Sequence, residues 1–285
     1  TTTYSFFATA EVICLVGATP VLIDILPDTF NINPSLIESH ITDKTKAIIP
    51  VSLFGQCADM STINQIANQH NLPVIEDGAQ SFGAVYKGKK SCGLSTIGCT
   101  SFFPAKPLGC YGDGGACFTN DDELAEKLRS IRVHGKGTTK YDNIRIGLNS
   151  RLDTIQAAIL LEKLKIYPKE IEARQRIAAE YTQHLSDRFD TPTVPELSNS
   201  VWAQYCITSS NRDNDILLLR NNDIPTAIYY KKPLHQLKAL SHLDLKGKKP
   251  ISEITTEKIF SIPMHPYLSE QDQQKIISTL LSTPT

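Results

Sequence analysis

The chain has 285 residues, 41% hydrophobic and 21% charged, which is material for about two domains with a substantial core and too apolar for a disordered chain. A formal net charge of -1, with no long run of Lys and Arg, gives no electrostatic case for nucleic acid or an anionic membrane surface. Seven scattered cysteines without a Cys-x-x-Cys pair read as reduced thiols rather than disulfides or a zinc site, and no apolar run is long enough to span a membrane, so a cytoplasmic protein of small-molecule chemistry is expected.

The opening Thr1-Thr2-Thr3-Tyr4-Ser5-Phe6-Phe7-Ala8-Thr9 has no initiator Met and reads like the interior of a domain; the expectation is a chain lacking an amino-terminal portion. Residues 21–25 are predicted as a strand, residues 34–38 open a helix, and residues 47–51 form the next strand. Ser61 begins a helical pattern that runs to Ala67, and the apolar residues 72–75 make another strand. Strands separated by helices require parallel crossovers, so the first half is α/β. Residues 97–103 form a further strand, the glycines at 109, 112, 114 and 115 mark tight turns, and residues 116–119 return as a strand. Asp121-Asp122-Glu123 starts a helix with its acids at the positive dipole end. Helical periodicity holds from Leu152 to Leu164, is expected to break at Pro168, and resumes from Glu170 to Leu185. The domain change is placed there, with a large domain over 1–160 and a small α+β domain over 161–285. The last part is predicted to hold strands at 203–208 and 225–230, a helix near 213–220, and a final helix from the capping sequence Ser269-Glu270-Gln271-Asp272.

Two residues stand out chemically. Lys106, between Pro104 and Pro107, cannot lie inside a regular helix and must sit on a shaped loop. A lone lysine is normally solvated, but two phenylalanines and two prolines around it imply partial burial, which lowers an amine's pKa and frees it as a nucleophile. Asp77 closes the apolar run at the carboxyl end of a strand, where open α/β sheets bind ligands, although an Asp there is also a common helix cap. An amine for a Schiff base and a carboxylate for a pyridine nitrogen are the parts that pyridoxal phosphate requires. Gln80 would share the helical face of Asp77 if the chain turns helical there. The glycine cluster matches neither a dinucleotide fingerprint nor a Walker loop, and the seven histidines show no pair at metal-ligand spacing, so no metal is expected.

Three segments carry a family resemblance: Glu76-Asp77-Gly78-Ala79-Gln80-Ser81-Phe82-Gly83-Ala84, Ser101-Phe102-Phe103-Pro104-Ala105-Lys106, and Gly147-Leu148-Asn149-Ser150-Arg151-Leu152-Asp153. With them the whole chain resembles the DegT/DnrJ/EryC/StrS-type sugar-nucleotide aminotransferases. The resemblance implies a fold-type-I pyridoxal-phosphate transferase, aspartate-aminotransferase-like, with a large mostly parallel-sheet domain and a small α+β domain. It implies that Lys106 is the Schiff-base lysine, Asp77 pairs with the pyridine nitrogen, Gln80 lies by the phenolic oxygen, Ser101 contacts the phosphate and Phe6 stacks on the ring. Asn149 would reach the phosphate of the neighbouring subunit, implying a homodimer with shared active sites. Tyr229 and Tyr230 match a substrate-side segment, and Arg151 could pair with the sugar carboxylate or the donor glutamate carboxylate, or merely tie down the long helix.

Within the family, residues 107–115 most resemble enzymes that aminate C3 of a UDP-linked 3-keto-2-acetamido uronic acid, with L-glutamate as donor, for bacterial surface polysaccharide. A C4 aminotransferase, a sugar dehydratase and a cofactor-binding regulator or inert fragment are the alternatives; Lys106 argues against the dehydratase, whose relatives carry His there. The family's amino-terminal phosphate-cradling turn is absent from this sequence, a departure expected to weaken cofactor binding.

Overall fold

The computed structural model describes residues 1–245 and 247–282. Near the amino end, helix α1 (Ala8–Leu15) is followed by residues 21–25, which are extended and largely buried but form only single bridges, Thr2 to Ile23 in parallel and Ile25 to Ile32 in antiparallel. The helix expected from residue 34 is two 3-10 turns, Pro34–Leu36 and Glu38–His40. Helix α2 (Met60–Gln69) starts one cap earlier than expected. Asp59, not Ser61, accepts the Thr62 N–H, and Met60, Ile63 and Ala67 form its buried stripe.

Strand β1 (Ile75–Asp77) lies slightly beyond the predicted 72–75, because the Leu72 N–H still bonds to Ala67 in the turn that closes α2. The expected strand at 47–51 flanks it through parallel bridges, Ile48 to Val74 and Val51 to Asp77. A short hairpin follows, β2 (Val85–Tyr86) and β3 (Lys89–Lys90), around Lys87-Gly88; both turn residues have positive φ, as a two-residue type I′ turn demands. Strand β4 (Ile97–Ser101) is parallel to β1 and antiparallel to β5 (Gly115–Phe118), giving the order β1-β4-β5. Helix α3 (Asp122–Ile131) is capped by Asp121 through the Leu124 N–H, with Asp122 and Glu123 in its first turn.

Helix α4 (Thr154–Leu185) runs unbroken through Pro168, contrary to the expected interruption, and a boundary at 160/161 falls inside it. A mid-helix proline costs about 3 kcal/mol. Packing on both sides of the proline exceeds that. Leu160 and Tyr167 are buried with Phe102, Leu108 and Cys110, while Ile177, Ala178, Tyr181 and Leu185 enter a second core. At roughly 1.5–3 kcal/mol per large buried side chain, two or three of these contacts offset the proline.

Beyond β6 (Ser198–Asn199), strand β7 (Tyr205–Thr208) pairs antiparallel with β8 (Ile259–Ile262), every residue of both buried. Helices α5 (Arg212–Asn221), α6 (Pro250–Lys258) and α7 (Glu270–Leu281) complete the chain. Ser269 caps α7, its Oγ accepting the Asp272 N–H at 3.1 Å. The predicted strand at 225–230 reduces to one bridge, Ala227 to Ser261. Its later backbone groups are taken by a side chain instead: the Tyr4 hydroxyl donates to the Tyr229 carbonyl (2.5 Å) and accepts from the Tyr230 N–H (3.0 Å). Among the described residues no helix is long and apolar enough to cross a membrane.

Candidate active site

The carboxyl end of β1 carries two acids of opposite fate. Glu76 is fully buried and accepts from Ser52 Oγ (2.8 Å), Ser91 Oγ (2.7 Å) and the Cys92 N–H (2.7 Å). Burial raises its pKa, and those three donors work against the rise. It fastens the strand end to the hairpin and to Ser52. Asp77 points the other way and is half-buried. Its Oδ2 accepts from Thr9 Oγ1 of α1 (2.8 Å) and its Oδ1 from the Ala79 N–H (3.1 Å). No helix follows: residues 79–83 run in turns, so Asp77 closes an Asx turn rather than capping a helix.

Between β4 and β5 the chain leaves the sheet at Phe102, whose N–H bonds to Gly114 and whose carbonyl accepts from Cys110. Lys106 lies in this closed loop, its own N–H bonded to the Phe103 carbonyl (2.8 Å). Gly109 lets the loop fold on itself, since a Cβ there would lie 2.6 Å from the Pro104 carbonyl oxygen. Lys163 of α4 donates to the Gly109 carbonyl from outside. Burial lowers the Lys106 pKa from the ordinary 10.5, and the negative charge of Asp77 opposes that fall without cancelling it.

Gln80 is buried and held at both ends of its amide: Oε1 accepts from the Phe54 N–H (2.7 Å) and Nε2 donates to the Tyr230 hydroxyl (3.0 Å). Asp77, Ala79, Gln80, Cys99 and Lys106 line a cavity of about 1120 Å³ together with Phe6 and Thr9. That is at the upper end of the roughly 300–1,000 Å³ typical of a small-molecule site. Phe6 is 60% exposed, its ring free to lie against a ligand.

Not every expected residue joins this lining. Ser101 ends β4 outside the cavity lining, its Oγ accepting from the Phe103 N–H (3.2 Å) with its own proton unassigned. Tyr229 and Tyr230 are off the lining, Tyr230 bonded through its hydroxyl to Gln80 and Tyr229 through its carbonyl to Tyr4. Asn149 and Arg151 lie on an exposed segment away from it, where Asn149 Oδ1 accepts from Arg151 Nε (3.1 Å) and a terminal guanidinium nitrogen (2.9 Å). Sequence reasoning missed Thr9, which aims Asp77, and Tyr4 and Lys163, which hold the neighbouring backbone. All three act across more than 50 positions of chain, so no local pattern marks them.

Residues 1–281 match the model of the DegT/DnrJ/EryC1/StrS aminotransferase family, and the chain belongs to that family. It is 52% identical over 278 residues to the UDP-2-acetamido-2-deoxy-3-oxo-D-glucuronate aminotransferase of Pseudomonas aeruginosa, covering 97% of this chain and 77% of that protein. Among solved structures, a DegT DnrJ EryC1 StrS aminotransferase from Brucella abortus superposes with a TM-score of 0.94 at 50% identity, over 98% of this chain and 77% of the other. S. venezuelae DesV, solved in complex with a ketimine intermediate, gives a TM-score of 0.95 at 33% identity, over 98% and 76%.

The protein is therefore a pyridoxal-phosphate-dependent sugar aminotransferase of fold type I. The residues present fit that cofactor: an amine kept below its ordinary basicity and a carboxylate fixed by two donors line one cavity.

Proposed function

We propose that the protein transfers an amino group from L-glutamate to the C3 ketone of a UDP-linked 2-acetamido uronic acid, in the cytoplasm, for bacterial surface polysaccharide. The observation that carries the chemistry is the half-buried Lys106 amine beside the anchored Asp77 carboxylate; the sugar is supported by the 52% identity to the Pseudomonas enzyme. When bound, pyridoxal phosphate supplies an electron sink and a carrier for the amino group. Lys106 Nζ would hold the cofactor, and as a free amine it would accept and return the substrate proton, a task that its lowered pKa favours. Asp77, whose two oxygens are held by Thr9 and Ala79, would face the ring nitrogen of the cofactor. Gln80 Nε2 gives one proton to Tyr230 and would have its second free for the phenolic oxygen. Ser101, whose Oγ only accepts from the Phe103 N–H, would have its hydroxyl proton for the phosphate, and the exposed Phe6 ring would stack on the cofactor.

The resemblance of Asn149 to a position that serves the neighbouring subunit, together with its exposed place away from the cavity, supports a homodimer in which each site takes residues from both chains. Mixing Lys106→Ala and Asn149→Ala protomers, each inactive alone, should then restore part of the activity. If the two folded proteins exchange subunits and recover none, the sites are not shared.

Arg151 is assigned to a carboxylate, since a guanidinium forks onto one in a bidentate pair. Arg151→Ala should cost roughly 2–5 kcal/mol in the sugar half-reaction with the 3-keto uronate, little with the neutral 6-hydroxymethyl sugar, and nothing with glutamate. Arg151→Lys should rescue poorly. Equal losses on both sugars would remove the uronate assignment, and a loss confined to glutamate would move Arg151 to the donor.

A further inference from the structure

The row Asp77, Cys99, Cys117 runs straight across the sheet, each residue directly opposite the next in register and on one face. The Cys99 and Cys117 sulfurs lie 3.9 Å apart, and both are free thiols. Their pairing geometry follows from the ladder. Phe102 N–H bonds to the Gly114 carbonyl, which makes that couple a hydrogen-bonded pair, and alternation along β4 and β5 makes Cys99 and Cys117 a non-hydrogen-bonded one. The Cys99 carbonyl accepts from Gly78 on the opposite side, as that alternation requires. In such pairs the Cα atoms stand about 4.5 Å apart, inside the window that a disulfide spans. Closing the bond asks only that the sulfurs approach to about 2 Å. Cys99 lines the cavity, and Cys117 is open to solvent.

We propose that Cys99 and Cys117 form an oxidisable dithiol, a modification site in the cavity wall that a hydroperoxide converts into a cross-strand disulfide. The two thiols divide the work. The hydrogen bond between the two thiols and then burial push Cys99 up, while the same bond pulls Cys117 down, and Cys117 is the sulfur open to solvent where a peroxide arrives. Cys117 Sγ attacks the peroxide, the O–O bond breaks, and a sulfenic acid and water form. Cys99 Sγ then attacks the sulfenic sulfur, and the hydroxyl leaves with the Cys99 proton as a second water. Two thiols lose two electrons and two hydrogens; hydrogen peroxide takes both. The other thiol near Cys99, Cys92, is buried with its pKa pushed up to about 12, which keeps it out of the exchange.

The test is hydrogen peroxide titration of the cofactor-loaded protein, followed by alkylation and peptide mass mapping. Two of the seven thiols should become unreactive and return with dithiothreitol, and one cross-linked peptide pair should join Cys99 to Cys117. Cys117→Ser should protect Cys99, whereas Cys99→Ser should leave Cys117 as a sulfenic or sulfinic acid; circular dichroism checks that both variants fold. A cross-link through Cys92 or Cys110, stepwise oxidation of Cys117 in the unmodified protein without a cross-link, or seven thiols still reactive after peroxide would each overturn the proposal. None of these readouts depends on the sugar or on transamination.

Discussion

Borohydride reduction of the cofactor-loaded protein should fix the cofactor on Lys106 and on no other lysine. The loop presents that amine between Phe103 and Gly109 with its charge penalised by burial, a penalty that the negative charge of Asp77 opposes. Because the folded protein lowers the Lys106 pKa, the free base appears at a lower pH than for an ordinary lysine. Covalent capture should therefore rise with pH to a midpoint below 10.5. Lys106→Ala should lower transamination by at least about 10²–10⁴-fold, the range for loss of a positioned acid–base group, and more where the covalent anchor is also needed. A reduced cofactor mapped to a different lysine, or a midpoint at 10.5 or above, would sink the assignment.

Asp77→Asn should leave the protein folded and the cofactor bound, yet reduce turnover by about 10²–10³-fold, the scale seen when one preorganised electrostatic partner is removed. The substitution keeps shape and one oxygen. It removes the charge, and it turns one acceptor into a donor, so either the Thr9 hydroxyl or the Ala79 N–H must find a new partner. If Asp77 served only its Asx turn, Asn would replace it almost without loss, since Asn forms the same turn. Comparable turnover in the variant and the parent, with full cofactor occupancy, would reduce Asp77 to a backbone fastener.

The site was legible wherever its signal was local. Prolines on both sides of Lys106 fixed a loop, and Asp77 followed an apolar run, so amine and carboxylate could be read from neighbours in sequence. The same locality located α3, β4 and β5. Elements whose outcome depended on distant partners were misread. Residues 225–230 have strand-like composition, but Tyr4 takes the Tyr229 carbonyl and the Tyr230 N–H, so a ladder cannot form there. Pro168 reads as a break because local backbone chemistry says so; packing against two separate cores says otherwise. The offset of β1 likewise comes from Leu72, whose N–H stays with the preceding helix.

The unbroken α4 has a mechanical corollary. Its first half covers the loop that carries Lys106, through Lys163 to Gly109 and Leu160 to Phe102, and its second half lies inside the core built on β7 and β8. A rod anchored at both ends transmits loosening from one end to the other. Denaturant should thus melt both cores in a single transition, and a cut anywhere along residues 160–177 would leave each piece with an apolar helical stripe facing water, prone to aggregate rather than to fold alone.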